Sequence, residues 1–426
     1  MKWRHALATL VISLSGLAAL AGCNGGRGSA KITFLTLGDG SAMQAFRDIF
    51  ASFTRQSGNT VELQSLPAIS DYERVVRTRF AADDPPEIFW FFSGPNEYIT
   101  LDAGRNLVEL SKEKFVGTLT NTVRDFYTVD GRIYGIPWGS FNAMGVFYNK
   151  DVFRRLRLQP PKNWSDFLAV CEKVKQSGIT PIYEAAKTAW PVQIFSLAGF
   201  QAFVLPAING MEGVQRLKEN KLRITEIPAI RDVFMRQFSL KTRGFYNRDL
   251  IAGTYEMQVQ AIATGAAAMA FQADWILQDI ARSFPDAVDR IGFFPLPPDT
   301  GDPSPSLYPP KQIFISRRGP NVRAALTLAR FMTSSDSLAA WYGFNPGIPA
   351  YTNVRSRLYP GQQEINDFLM AGKGMIQIQL LTAATYVPGY DKICQEFLIS
   401  GNVERTITLM DERYRADGKA KHLPGF

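Results

Sequence analysis

The segment Ile88-Phe89-Trp90-Phe91-Phe92 is apolar at every position and is preceded by Asp83-Asp84-Pro85-Pro86. A strand of this composition has no face suited to water, so it needs cover on both sides, as in a sheet packed between helices. The preceding residues agree. Lys31–Leu37 alternates in polarity and reads as a first strand, broken by Gly38-Asp39-Gly40-Ser41. From Ala42 onward Phe46, Ile49, Phe50 and Phe53 recur at helical spacing, and Gly58 closes that helix. Val61–Leu66 reads as a second strand and Asp71–Ala82 as a second helix. The βαβαβ order predicts an α/β fold with a parallel or mixed sheet and functional loops at the strands' carboxyl ends.

The chain has 426 residues, enough for two or three domains, and 46% of them are hydrophobic. Its only histidines are His5 and His422, one near each end, so no histidine base, metal pair or triad sits mid-chain. The net charge of +8 is dispersed, as in Arg155–Leu158 and Arg317-Arg318, and contains no block that would bind nucleic acid. Lys2 and Arg4 precede an uncharged run, Ala6 to Gly22, in the layout of an export signal. The run ends in Leu20-Ala21-Gly22-Cys23, which resembles the lipobox of bacterial lipoproteins. Cys23 is then the lipidation site, residues 23–30 form a flexible tether, and the folded part lies outside the cytoplasm, held at the membrane. Beyond this run no other apolar stretch is expected to span a bilayer. Cys171 and Cys394 lie in helical apolar patterns and are expected to be buried free thiols.

Further on, Ile179–Tyr183, Ala268–Phe271, Ile291–Leu296 and Gln312–Ser316 read as strands, and Trp275–Ser283 as a short helix. Pro297 to Pro310 holds six prolines and reads as a connection between lobes.

Across Gly131–Ile182 (GRIYGIPW, VFYNKDVF, PPKNWSDFLAVCEKVKQSGITPI) the chain resembles the family 1 extracellular solute-binding proteins, the sugar-capturing components of ABC importers. The same likeness continues in order through Ala263–Ile280, Arg290–Pro298, Phe314–Ser334, Gly347–Tyr351 and Met410–Ala416. The resemblance implies a class II type, two-lobed periplasmic-binding-protein fold, each lobe a mixed sheet flanked by helices. Residues 1–22 are then the signal, 31–140 and 299–335 the first lobe, and 141–298 and 336–426 the second. It further implies a monomer that takes a carbohydrate in the interlobe cleft, delivers it to an ABC permease, and needs no cofactor or metal. A non-sugar solute such as a polyamine, peptide or phosphorylated compound is the alternative ligand. An exported glycoside hydrolase is the remote one, because no spacing marks a carboxylate pair and no nucleophile elbow or P-loop is present.

A sugar offers C–H faces to aromatic planes and hydroxyls to fixed polar groups. Trp275, where the resemblance places an aromatic cleft residue, and Asp274 beside it are the leading candidates, with helix capping as the second reading of Asp274. Ser93 and Asn96 follow the FWFF strand, whose Trp90 reads as core. Asp39 ends the first strand, as ligand contact or helix cap. Trp138 and Asn142 flank the first crossing, where Trp138 faces either the cleft or the hinge. Trp190 opens a helix, and Gly347 and Tyr386 complete the set. Tyr308-Pro309-Pro310-Lys311 stands where family members carry a Gly-rich approach. Lys311 there meets an acidic or phosphorylated sugar, or points to solvent.

Overall fold

The computed structural model describes residues 29–38, 40–66, 69–382, 387 and 389–426; Cys23, Asp39 and Tyr386 lie outside them. Twelve strands fall into two sheets. The first contains β1 (Lys31–Leu37), β2 (Thr60–Leu66), β3 (Ile88–Phe91), β4 (Gly135–Trp138) and β10 (Lys311–Ile315) in the order β2-β1-β3-β10-β4. The second runs β12-β9-β5-β7-β6, built from β5 (Ser140–Asn149), β6 (Thr180–Ile182), β7 (Ala267–Ala273), β9 (Ser306–Tyr308) and β12 (Met375–Ile376). β8 (Ile291–Phe294) and β11 (Ile348–Pro349) also pair with β5.

Alternation decides which way each strand faces. Ile32 and Phe34 of β1, Ile88 of β3 and Ile313 and Ile315 of β10 enter one core, beneath helices Gly40–Ser57, Val322–Met332 and Ser335–Phe344. Leu35 and Leu37, Phe89 and Phe91, and Phe314 enter a smaller core on the opposite face. The apolar continuity of the FWFF segment thus has a cause: β3 is covered on both sides and lies in the middle of its sheet. In the second lobe β5 is central, with Met144, Val146 and Tyr148 facing one core and Ala143 and Phe147 the other.

The crossings between lobes depart from the sequence boundaries at two places. The first lies at Gly139, between β4 and β5. The second is expected near residue 298, but β9 pairs antiparallel with β5 through Asn142↔Tyr308, so the chain stays in the second lobe until Pro309-Pro310. The third is expected near 335, yet helix Ser335–Phe344 packs on helix Gly40–Ser57 in the first lobe, and the chain leaves only afterwards. Three residues of strand among six prolines, and a helix with no mark of its sheet, explain both displacements. Trp190–Ala207 is long and apolar enough by composition to cross a membrane, but 67% of it is buried inside the protein. It is a core segment. Cys171 and Cys394 are buried and unbridged.

Gly145 marks the tightest point of the central strand. A Cβ there would lie 2.7 Å from the Phe293 ring and 2.8 Å from the Phe294 carbonyl oxygen. Gly145→Ala should therefore lower stability by about 1–3 kcal/mol, read from the urea midpoint; an unchanged midpoint would show that β8 yields freely.

Candidate functional site

The seam between lobes is built on the crossings. Prolines there contribute no N–H, and several of their carbonyls are taken up by side chains. Side chains supply the missing donors. Tyr351 donates to Pro137 O at 2.8 Å, Ser93 to Pro309 O at 2.7 Å, and Tyr127 to Pro310 O. Gln278 and Gln362 donate to Pro346 O at 3.1 and 3.0 Å, and Tyr342 to Gly139 O at 2.7 Å. Ser93 is therefore a hinge fastener, 2% exposed, and not an open cleft residue. Asn96 is likewise buried, its amide donating at 3.4 Å to Gln379 O on helix Ile378–Leu381, a contact that joins the lobes away from the crossings.

Trp138 is fully buried, with ring centroids of Trp341 and Phe46 at 5.2 and 6.2 Å. Its place is hinge packing, because strand β4 turns it into the core shared by both lobes. Asp274 is also fully buried. Its carboxylate accepts from Ala143 N at 3.0 Å and Gln362 Nε2 at 3.3 Å, and makes no capping bond to its own helix. Burial pushes its pKa up to about 6 while those two donors pull it back. Asp274 thus fastens β5 to helix Pro360–Met370. Gly347 is demanded by space, since a Cβ there would sit 2.0 Å from Ser140 Oγ.

The remaining candidates are half-buried and converge. Asn142 pairs across the ladder with Tyr308 on one side. On its other side the β5–β7 register ends at Met144↔Ala273, which brings Asp274 and Trp275 alongside. The Trp275 indole donates to Gln272 Oε1 at 3.0 Å. Gln272 in turn donates to Gln258 Oε1 at 2.9 Å, and Gln258 to Tyr183 O at 2.7 Å, so a buried amide relay fixes the indole plane. Trp190 lies 6.0 Å from Trp275 and 4.8 Å from Tyr255, centroid to centroid, giving three half-exposed rings on one lobe. On the other lobe Trp90 is half-buried and donates at 3.3 Å to Trp138 O, with the Lys311 ammonium 5.0 Å above its ring. Trp90 also packs on Phe46 and Trp341 at 5.6 and 5.7 Å, centroid to centroid, as its reading as core expects, and keeps one part of the indole open. Tyr255 and the Gln272–Gln258 relay escaped sequence reasoning, as nothing distinguishes an aromatic helix start or a strand glutamine from ordinary packing.

Glu184 was also not foreseen. It is fully buried just after β6, with one oxygen accepting from Ala185 N at 3.0 Å and the other without a partner among the described residues. Burial raises its pKa to about 8, against a small opposing pull from that N–H. Among the described residues no group of histidine, cysteine and carboxylate side chains forms a metal site.

Comparison with known proteins places this geometry. The family described as "Bacterial extracellular solute-binding protein" matches residues 38–339. The multiple sugar-binding protein of Streptococcus mutans is 22% identical over 367 residues, covering 83% of this chain and 84% of the relative. The melibiose/raffinose/stachyose-binding protein MelE of Bacillus subtilis is 21% identical over 302 residues, 68% of each chain. Among solved structures, the binding protein RafE in complex with raffinose superposes with a TM-score of 0.77 at 17% identity, covering 91% of this chain and 100% of that one. A chitin oligosaccharide binding protein gives 0.77 at 20% identity, with coverages of 92% and 99%. These likenesses show the two-lobed fold.

Between its ordinary value near 4.5 and about 8, the Glu184 carboxyl holds a proton only in the folded chain. Stability should therefore fall as pH rises through that window and level off above it, by up to about 5 kcal/mol. Urea titrations at fixed ionic strength should show Glu184→Gln with a shallower decline than the parent; parallel slopes would assign the pH dependence elsewhere.

Proposed function

Because this chain belongs to the bacterial extracellular solute-binding proteins, we propose that it captures a carbohydrate between its lobes and passes it to the membrane subunits of an ABC importer. The family binds solutes outside the cytoplasm and is not one of enzymes. The observation that carries the sugar reading is the row of half-exposed rings Trp275, Trp190 and Tyr255, with Trp90 on the opposite lobe. Flat aromatic faces held by packing and by the Gln272 hydrogen bond suit the C–H faces of a pyranose at low entropic cost. Asn142, beside Tyr308 in the β5–β9 ladder, offers an amide for ring hydroxyls. The sugar-binding relatives above support the same ligand class. Closure is a hinge rotation about the three crossings, and a micromolar complex needs only about −8 kcal/mol. Asp39 and Tyr386, outside the described residues, are proposed as further contacts. The protein acts as a monomer anchored through lipid on Cys23, and binding without chemical change is its whole activity.

A thermal-shift panel of saccharides, polyamines and short peptides tests this reading, since a ligand of the folded state raises the midpoint by mass action. Saccharides are expected to do so; stabilisation by polyamines or peptides alone would overturn it. Trp275→Ala should weaken saccharide binding roughly 10- to 100-fold with little change in melting temperature. Trp138→Ala, by contrast, should cost about 3–5 kcal/mol of stability. A reversal of those two phenotypes would exchange the wall for the core. Cys23→Ser should move the protein from the membrane fraction to the soluble one; retention at the membrane would remove the anchor.

A further inference from the structure

Lys311 opens β10 directly after the Pro309-Pro310 crossing, opposite Trp138 in β4. Its ammonium sits 5.0 Å from the centroid of the Trp90 ring, on the indole proposed above as the first lobe's sugar-facing wall. Some lysines of the protein lie against carboxylates, as in Lys150–Glu364 at 2.8 Å and Lys373–Asp302 at 2.7 Å, and Lys175 and Lys241 donate to backbone carbonyls. Lys311 has no such partner among the described residues. Burial lowers its pKa to about 8, and no neighbouring charge contributes to that shift. An uncompensated ammonium half removed from water is costly, and a single cation–π contact returns only about 1–2 kcal/mol of that cost.

Resting on the carbohydrate reading, we propose that Lys311 is a specificity-determining residue that pairs with the carboxylate of an acidic saccharide, a uronate, lying across Trp90. One ammonium balances one carboxylate. A phosphate ester, with nearly two negative charges at neutral pH, would leave part of its charge unpaired in the same half-buried place. The position explains why a lysine stands here. The ammonium covers the indole face, so the sugar meets the open edge of the ring with its carboxylate against the ammonium.

Calorimetry with trigalacturonate, its methyl ester, and trehalose 6-phosphate tests the assignment on the unaltered protein at physiological salt. The expected result is binding of trigalacturonate at least tenfold tighter than of its ester. In Lys311→Met that preference should drop below twofold while the ester's own affinity holds, and Lys311→Arg should restore it. Equal binding of acid and ester, or a preference that survives Lys311→Met, would overturn the role of Lys311 and leave the carbohydrate reading standing. A preference for the phosphate would overturn the carboxylate assignment. Failure of every saccharide, charged or neutral, in this assay and in the thermal panel would overturn both readings together.

Discussion

Backbone that passes between two sheets carries polar groups that neither ladder can pair, and the architecture of this protein turns on how those groups are satisfied. Prolines at 137, 309, 310 and 346 remove N–H donors where no acceptor waits, and hydroxyl and amide side chains from both lobes cover the carbonyls that remain. Each such bond is worth about 1 kcal/mol net, but an unmade one at a buried crossing would cost more. The bonds also fix where the hinge lies, because a crossing held by Tyr342, Tyr351 or Ser93 cannot slide along the strand it leaves.

With the crossings pinned, the aromatic side chains separate into two populations. Trp138, Trp341 and Phe46 form the packed centre of the hinge, where they bury area and hold the lobes' shared core together. Trp275, Trp190, Tyr255 and Trp90 remain partly exposed. The buried carboxylates divide likewise. Asp274 is spent on the backbone of β5, whereas Glu184 keeps an oxygen without a partner among the described residues, a cost the fold carries and that protonation relieves.

Local pattern was a sound guide wherever burial on both faces, alternation or helical spacing set a segment's state. The first strand Lys31–Leu37 and the helix Trp275–Ser283 have the same limits in sequence and structure. The FWFF segment announced a covered strand, although Trp90 and Phe92, its partly open residues, are marked by nothing in their neighbours. Proline content misled at 297–310, where β9 is held by cross-strand bonds to β5 that no propensity encodes. The Ser335–Phe344 helix packs on helix Gly40–Ser57, and nothing in its own residues marks that lobe.

The sequence by itself determined the α/β class and the limits of several elements, because these follow from composition and period, and its motif order carried the resemblance to a two-lobed family. Only the tertiary structure decided which tryptophans are wall and which are core, that Asp274 and Ser93 serve the backbone, and that Lys311 stands over Trp90. Those roles depend on which groups distant segments bring within hydrogen-bond or van der Waals reach, a property of the folded chain and not of any stretch of it.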